Sequence, residues 1–388
     1  MSSSYISSNV QTLKPSGIRK FFDLASKMDN VISLGVGEPD FVTPWNVIEA
    51  SYHSLEQGYT AYTANAGLLE LREEISIYLN DKFHVTYHPE TQVLVTVGAS
   101  QAIDLALRAV LDPLDEVIVV EPCFVSYAPT VNLAGGKAVT VQAKPENEFK
   151  ILPSEVEAAI TEKTKAIIIC SPNNPTGTVL NKEELTAIAE VVKKHDLLVI
   201  SDEIYAELAY DERATSIAAV EDMIDRTILV SGFSKAFAMT GWRLGYVTGP
   251  KEIIQAMTKI HQYTMMCAPT MAQHGALEAL RNGNESVLEM KVSYRQRRNF
   301  VVDALNDMGL SCHLPGGAFY VFPSIKETGM NSEEFAERLL EEQRVAVVPG
   351  HVFGESGEGH IRCSYATSMK QLDESMKRLR KFVEKYTD

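Results

Sequence analysis

A chain of 388 residues, 45% hydrophobic and 22% charged, is too long for one minimal core and suits a large α/β domain plus a smaller one. A formal net charge of −15 disfavours nonspecific binding to nucleic acid or acidic membranes, and no apolar run is long enough to cross a bilayer. The five cysteines (Cys123, Cys170, Cys267, Cys312 and Cys363) and nine histidines form no CxxC pair, HExxH motif or close cluster, so neither a disulfide framework nor a metal site is expected.

In chain order, the polar, Ser-rich residues 1–10 lack the basic start and apolar run of a signal peptide, so a cytoplasmic location is expected. Runs rich in Val, Ile and Leu then recur at 93–97, 116–120, 138–141, 165–170, 197–201, 227–231 and 244–248. Most are nearly continuous, as in strands buried on both faces, and amphipathic stretches such as 182–194 separate many of them. The pattern predicts a mostly parallel, seven-stranded sheet flanked by helices. Residues 284–308 read as one long charged helix, followed by short strands at 318–322, 345–348 and 360–364 and a last helix near 369–385. The expectation is a large domain over 48–285 and a small α+β domain built from 1–47 and 286–388.

Ligands of open parallel sheets sit beyond the carboxyl ends of the strands. Five of the runs end in polar or special residues: Gly98-Ala99-Ser100, Glu121-Pro122-Cys123-Phe124, Ser171 to Gly177, Asp202-Glu203-Ile204-Tyr205, and Ser231 to Lys235. They would converge on one crevice. Ala99 and Ser100, opening a helix, offer backbone N–H groups to a phosphate, although Ser100 as a plain N-cap explains them equally. Arg243 is either a phosphate-gripping fork or a surface ion-pair partner. Asp202, ending an apolar run, needs a cation such as a protonated pyridine nitrogen, unless it caps a helix. Lys235 ends another apolar run; partly desolvated beside cations it becomes a Schiff-base nucleophile, whereas most lysines are simply solvated.

Taken together, these motifs resemble those of the class I aminotransferases of fold type I. The run from Ser231 to Gly245 (SGFSKAFAMTGWRLG) resembles the lysine signature of that family. Ser171 to Gly177 (SPNNPTG) and Ser201 to Tyr205 (SDEIY) resemble two preceding motifs. Ser33 to Asp40 (SLGVGEPD), Tyr62 to Gly67 (YTANAG) and Ile361 to Ala366 (IRCSYA) resemble three more. The likeness runs from about Gly17 to the last helix and is greatest to the bacterial branch with aspartate, aromatic and N-acetyl-diaminopimelate aminotransferases.

The resemblance implies pyridoxal 5′-phosphate, carried by Lys235 as a Schiff base, and ping-pong transfer of an amino group from an L-amino acid to a 2-oxo acid such as 2-oxoglutarate. By the same likeness, Asp202 pairs with the pyridine nitrogen, and Tyr205 and Asn174 bond the ring 3′-oxygen. Phe124 stacks on the ring, and Ala99, Ser100, Ser234 and Arg243 hold the phosphate. Tyr62 reaches the phosphate of a neighbouring subunit, which implies a homodimer with shared sites. Arg362 binds the substrate α-carboxylate, with the backbone at Gly37 closing over it and Gly35 as a second flexible point. Gly232 stands where some relatives have a phosphate-binding hydroxyl, with Ser231 as the substitute. No second arginine is evident for a distal carboxylate. Ile18, Val36, Phe124 and Phe319 are the candidates for the side-chain pocket, and their apolar character favours aromatic, alanine-like or other neutral donors. A carbon–sulfur β-lyase using the same residues is the alternative reading. A regulator with a DNA-binding domain is disfavoured by the early position of Gly37 and Tyr62 and by the acidic chain.

Overall fold

The computed structural model describes residues 5–11, 13, 17 and 28–387. Its first strand, β1 (Ile32–Ser33), is followed by helices Trp45–Glu56 and Leu69–Phe83. Then come β2 (Val93–Thr96), β3 (Glu116–Glu121), β4 (Lys137–Gln142), β5 (Thr164–Cys170), β6 (Leu198–Asp202), β7 (Thr227–Gly232) and β8 (Gly245–Thr248). These last seven strands form one sheet in the order β2-β8-β7-β6-β5-β3-β4. Strand β8 runs antiparallel to both of its neighbours, and the other pairings are parallel.

The central strands are apolar because helices cover both faces: Ile167, Ile168, Val199, Ile200, Ile228 and Leu229 are all buried. At the sheet edge, β4 departs from the expected burial, since Val141 is its one buried residue. The helix Lys182–Lys194 shows how local sequence sets an element. Asn181 accepts from Glu184 N at 2.8 Å, the Glu184 carboxylate accepts from Asn181 N at 2.8 Å, and Lys193 and Lys194 close the last turn.

A separate core lies among the helices Asn284–Asp307, Ser332–Gln343 and Met369–Thr387. Against them pack β9 (Tyr320–Val321), β10 (Val345–Ala346), β11 (Val348–Pro349) and β12 (Ile361–Ser364). Strand β9 is shorter than the expected 318–322, because Ala318 adopts a left-handed φ of 59° just before it. The expected 345–348 strand divides in two, since β10 pairs with β1 and β11 pairs with β12.

The pairing of β1 with β10 anchors the segment that carries Gly35 and Gly37. A second anchor is Asp40, whose carboxylate accepts from Arg297 Nη1 at 2.8 and 2.9 Å and from the Tyr294 hydroxyl at 3.2 Å. Arg297 is 9% exposed, so removing its partner leaves a buried cation. Asp40→Ala is expected to cost about 1–3 kcal/mol. A lowered urea midpoint checks this, and a midpoint equal to wild type would refute it.

Candidate active site

The carboxyl ends of the central strands open into a cavity of about 560 Å³, walled on the far side by Gly35, Gly37, Tyr320 and Arg362. The expected catalytic, cofactor and carboxylate residues Gly37, Ala99, Ser100, Phe124, Asn174, Asp202, Tyr205, Ser234, Lys235, Arg243 and Arg362 all line it, and Tyr62 does not. Tyr62 is 79% exposed on the outer surface.

At one end, the helix Ala99–Val110 begins after Gly98, which has a φ of +80°. A Cβ at Gly98 would fall 2.8 Å from Arg243 Nη2, so the turn leaves a hollow that only glycine permits. Gly98 is the N-cap residue, and Ser100 lies inside the helix, which removes the plain N-cap explanation of Ser100. Arg243 anchors one nitrogen on Thr240 O at 3.0 Å and makes no carboxylate pair among the described residues. Ser231 is not part of this end. Its hydroxyl donates to Glu203 O at 3.3 Å and faces a different, smaller cavity behind β7, because strand alternation turns it away.

Asp202, the last residue of β6, is 5% exposed. Its Oδ2 accepts from the Tyr127 hydroxyl at 2.6 Å and its Oδ1 from Ile204 N at 3.2 Å. Burial raises its pKa, and these two donors together with the Lys235 amine oppose the rise. No α-helix follows Asp202; the next element is a short turn at Ala206–Leu208, so helix capping does not account for it.

Lys235 Nζ donates to Gly37 O at 2.7 Å. Burial pushes its pKa down to about 8, and Arg362 and Arg243 add to the effect, while Glu38 and Asp202 oppose it. Arg362 is 3% exposed. It donates to Asn174 Oδ1 at 2.9 Å and Gly35 O at 2.7 Å, and its guanidinium carbon lies 4.4 and 4.9 Å from the rings of Tyr320 and Phe353. Its Nε is buried with no hydrogen-bond partner, an orphan donor that a carboxylate would satisfy.

Three expectations for the side-chain pocket are corrected or fall outside the structure. Phe319 is wholly buried in the core behind Tyr205, and its neighbour Tyr320 lines the cavity instead. Val36 is 39% exposed and does not line the cavity, because alternation along the segment turns Gly35 and Gly37 inward. Ile18 lies outside the described residues. Tyr127, Cys170, Glu38 and Tyr320 line the cavity without having been singled out in the sequence. The helical run after Phe124 was a usable signal for Tyr127; for Tyr320, period-two alternation does not say which parity faces a site.

Among the described residues, no group of three or more His, Cys, Asp or Glu could hold a metal ion, and no helix is long and apolar enough to cross a membrane. A phosphate hollow, a buried carboxylate, a depressed lysine and an arginine with an orphan donor fit pyridoxal phosphate carrying an amino-acid substrate.

A family model described as aminotransferase class I and II matches residues 29–379. The chain belongs to that family. It is 64% identical over 384 residues to a provisionally named aminotransferase, YugH, of Bacillus subtilis (strain 168), covering 99% of this chain and 100% of that one. It is 48% identical to the aspartate aminotransferase of Pyrococcus abyssi, covering 97% and 98%. The solved aromatic aminotransferase of Pyrococcus horikoshii superposes with a TM-score of 0.90 at 46% identity, covering 95% of this chain and 99% of that one. The sheet and its flanking helices are therefore the class I aminotransferase fold, in a family that is generally pyridoxal-phosphate dependent.

The depressed Lys235 makes a signed prediction for the protein without cofactor. Its pKa falls from an ordinary 10.5 unfolded to about 8 folded, so stability rises with pH across that window and its burial cost is greatest below pH 8. Lys235→Met removes that cost, up to roughly 3 kcal/mol before the lost bond to Gly37 is counted. The variant should match or exceed wild type in urea midpoint at pH 7, with the difference moving in favour of wild type by pH 10. A difference that does not change with pH would refute the burial argument.

Proposed function

We propose that the protein transfers the amino group of a neutral L-amino acid, aromatic or alanine-like, to a 2-oxo acid such as 2-oxoglutarate by a ping-pong cycle on pyridoxal phosphate held by Lys235. The observation that carries this reading is the placement of a part-buried, depressed lysine and a buried aspartate in one cavity with Arg362. Bound there, pyridoxal phosphate supplies an electron sink for the charge left when a proton leaves the substrate α-carbon.

The chain's own residues do the rest. Ala99 and Ser100 backbone groups, Ser234 and Arg243 hold the phosphate. Asp202, whose carboxylate accepts from the Tyr127 hydroxyl and Ile204 N, pairs with the pyridine nitrogen. Phe124 covers one ring face, and Tyr205 and Asn174 address the ring oxygen. Arg362 takes the α-carboxylate with its orphan Nε, and Lys235 Nζ takes up the α-proton as a neutral amine. The neutral-donor preference is supported by Phe124, Ile103 and Tyr320 along the wall. Beyond the three cations and Asp202 already assigned, the lining adds only the charge of Glu38, which would repel a second carboxylate. We further propose a homodimer in which Tyr62 serves the partner's phosphate. Exposed Trp45 (71%), Tyr62 (79%) and Tyr263 (84%) support such a face. The named relatives favour transamination over the lyase chemistry.

The test is the visible absorbance of the purified protein with pyridoxal phosphate, before and after single L-amino acids. The expected result is loss of the band with neutral donors ahead of aspartate, and its return on adding 2-oxoglutarate. A band that recovers unaided with release of ammonia would mean a lyase. No band after adding pyridoxal phosphate would refute the role of Lys235.

A further inference from the structure

Tyr320 has no role in the reading above beyond lining the cavity wall, yet it touches three of its working parts. It lies on β9 opposite Ser364 of β12, and Arg362 is two residues before Ser364, so the two side chains are diagonal neighbours across the strands. Its ring sits 4.4 Å from the Arg362 guanidinium carbon, and its hydroxyl lies 3.0 Å from the Tyr205 hydroxyl. The same oxygen abuts Gly37, where an added Cβ would come within 3.0 Å of it. Gly37 O is the acceptor of Lys235 Nζ. Tyr320 itself is 1% exposed.

A neutral phenol has one proton to give. Burial holds Tyr205 protonated far above neutral pH. If Tyr205 spends that proton on Tyr320, none is left for a ligand. If Tyr320 donates instead, the Tyr205 proton is free, and a phenol that accepts one hydrogen bond is a stronger donor of the next. The ring does separate work: together with Phe353, whose ring lies 4.9 Å away, it packs on the guanidinium without using any of its N–H groups. Resting on the proposed reading of the cavity, we propose that Tyr320 is a positioning residue for amino-group transfer. Its hydroxyl sets Tyr205 as donor to the cofactor ring oxygen, and its ring sets Arg362 for the substrate carboxylate.

The two halves separate in the pyridoxal-phosphate-loaded protein with Tyr320→Phe and Tyr320→Leu. The first readout is the pH midpoint of the visible band. A weaker donor at the ring oxygen favours the protonated form, so Tyr320→Phe should raise the midpoint by about 0.5–1 unit. The second is the dissociation constant of 3-phenylpropanoate, a monocarboxylate without an amino group, followed by its effect on the same band. Tyr320→Phe should stay within about twofold of wild type, and Tyr320→Leu should bind roughly five- to tenfold more weakly. An unmoved midpoint in Tyr320→Phe overturns the proposal, as does unchanged binding in Tyr320→Leu. Should Tyr320→Leu not fold, Tyr320→Phe alone decides. A wild-type protein with no visible band at any pH refutes the pyridoxal-phosphate reading itself, whereas a normal wild-type band with silent variants refutes only the role of Tyr320.

Discussion

Burial of the Lys235 amine is the constraint on which the rest of the cavity depends. An amine in low dielectric beside two guanidinium groups is unfavourable as a cation, and that penalty brings its pKa down to about 8. The fold limits the penalty with a backbone carbonyl, Gly37 O, and with Asp202 on the neighbouring strand. Both depend on distant chain segments. Gly37 is held by the β1–β10 pairing and by the Asp40–Arg297 anchor, while Asp202 is held by its place at the end of β6. The lysine therefore has its working environment only when the central sheet and the C-terminal core are assembled together.

Much of this was legible in the sequence, for a physical reason. Strands buried on both faces must be nearly all apolar, so a polar residue at their carboxyl ends stands out. Asp202 and Lys235 are marked in that way, and Ser171 to Gly177 is marked by its prolines and glycine. The long helix Asn284–Asp307 and the last helix Met369–Thr387 were visible from their periodicity. What failed to show was orientation over short spans. Phe319 and Tyr320 are adjacent aromatic residues on a short strand; one is core and the other is cavity wall, and alternation alone leaves the parity open. Ser231 and Val36 failed in the same way. Tyr127 escaped notice because its use depends on a hydrogen bond to Asp202 across 75 positions of sequence.

The site also divides its hydrogen-bonding work by depth. At the mouth, the hollow is made by a left-handed Gly98 and the first turn of a helix, with the Arg243 side chain in the space where a Cβ is missing. At the floor, each polar group is committed by a side chain. Tyr127 donates to Asp202, Asn174 accepts from Arg362, and the Tyr320 and Tyr205 hydroxyls are bonded to each other. Backbone donors suit an anion that must be gripped without discrimination, and committed side chains suit groups whose protonation must be fixed before substrate arrives.

The pair Asp202–Glu203 shows why a strand end is a suitable place for such control. Two adjacent buried carboxyls cannot both ionise cheaply on the same side of a sheet. Period-two alternation sends them to opposite faces, so Asp202 enters the cavity while Glu203 joins Ser201 on the other side. There Glu203 accepts from the Ser201 and Ser216 hydroxyls at 2.8 and 2.7 Å. Burial pushes it up to about 7, the two hydroxyls oppose the rise, and the Asp202 charge adds to it. Asp202 instead has a phenol, a backbone N–H and the lysine amine in its favour. The sheet thus gives neighbouring residues of the same chemistry different surroundings, and the cavity receives the one whose rise is opposed by the lysine amine as well as by two hydrogen-bond donors.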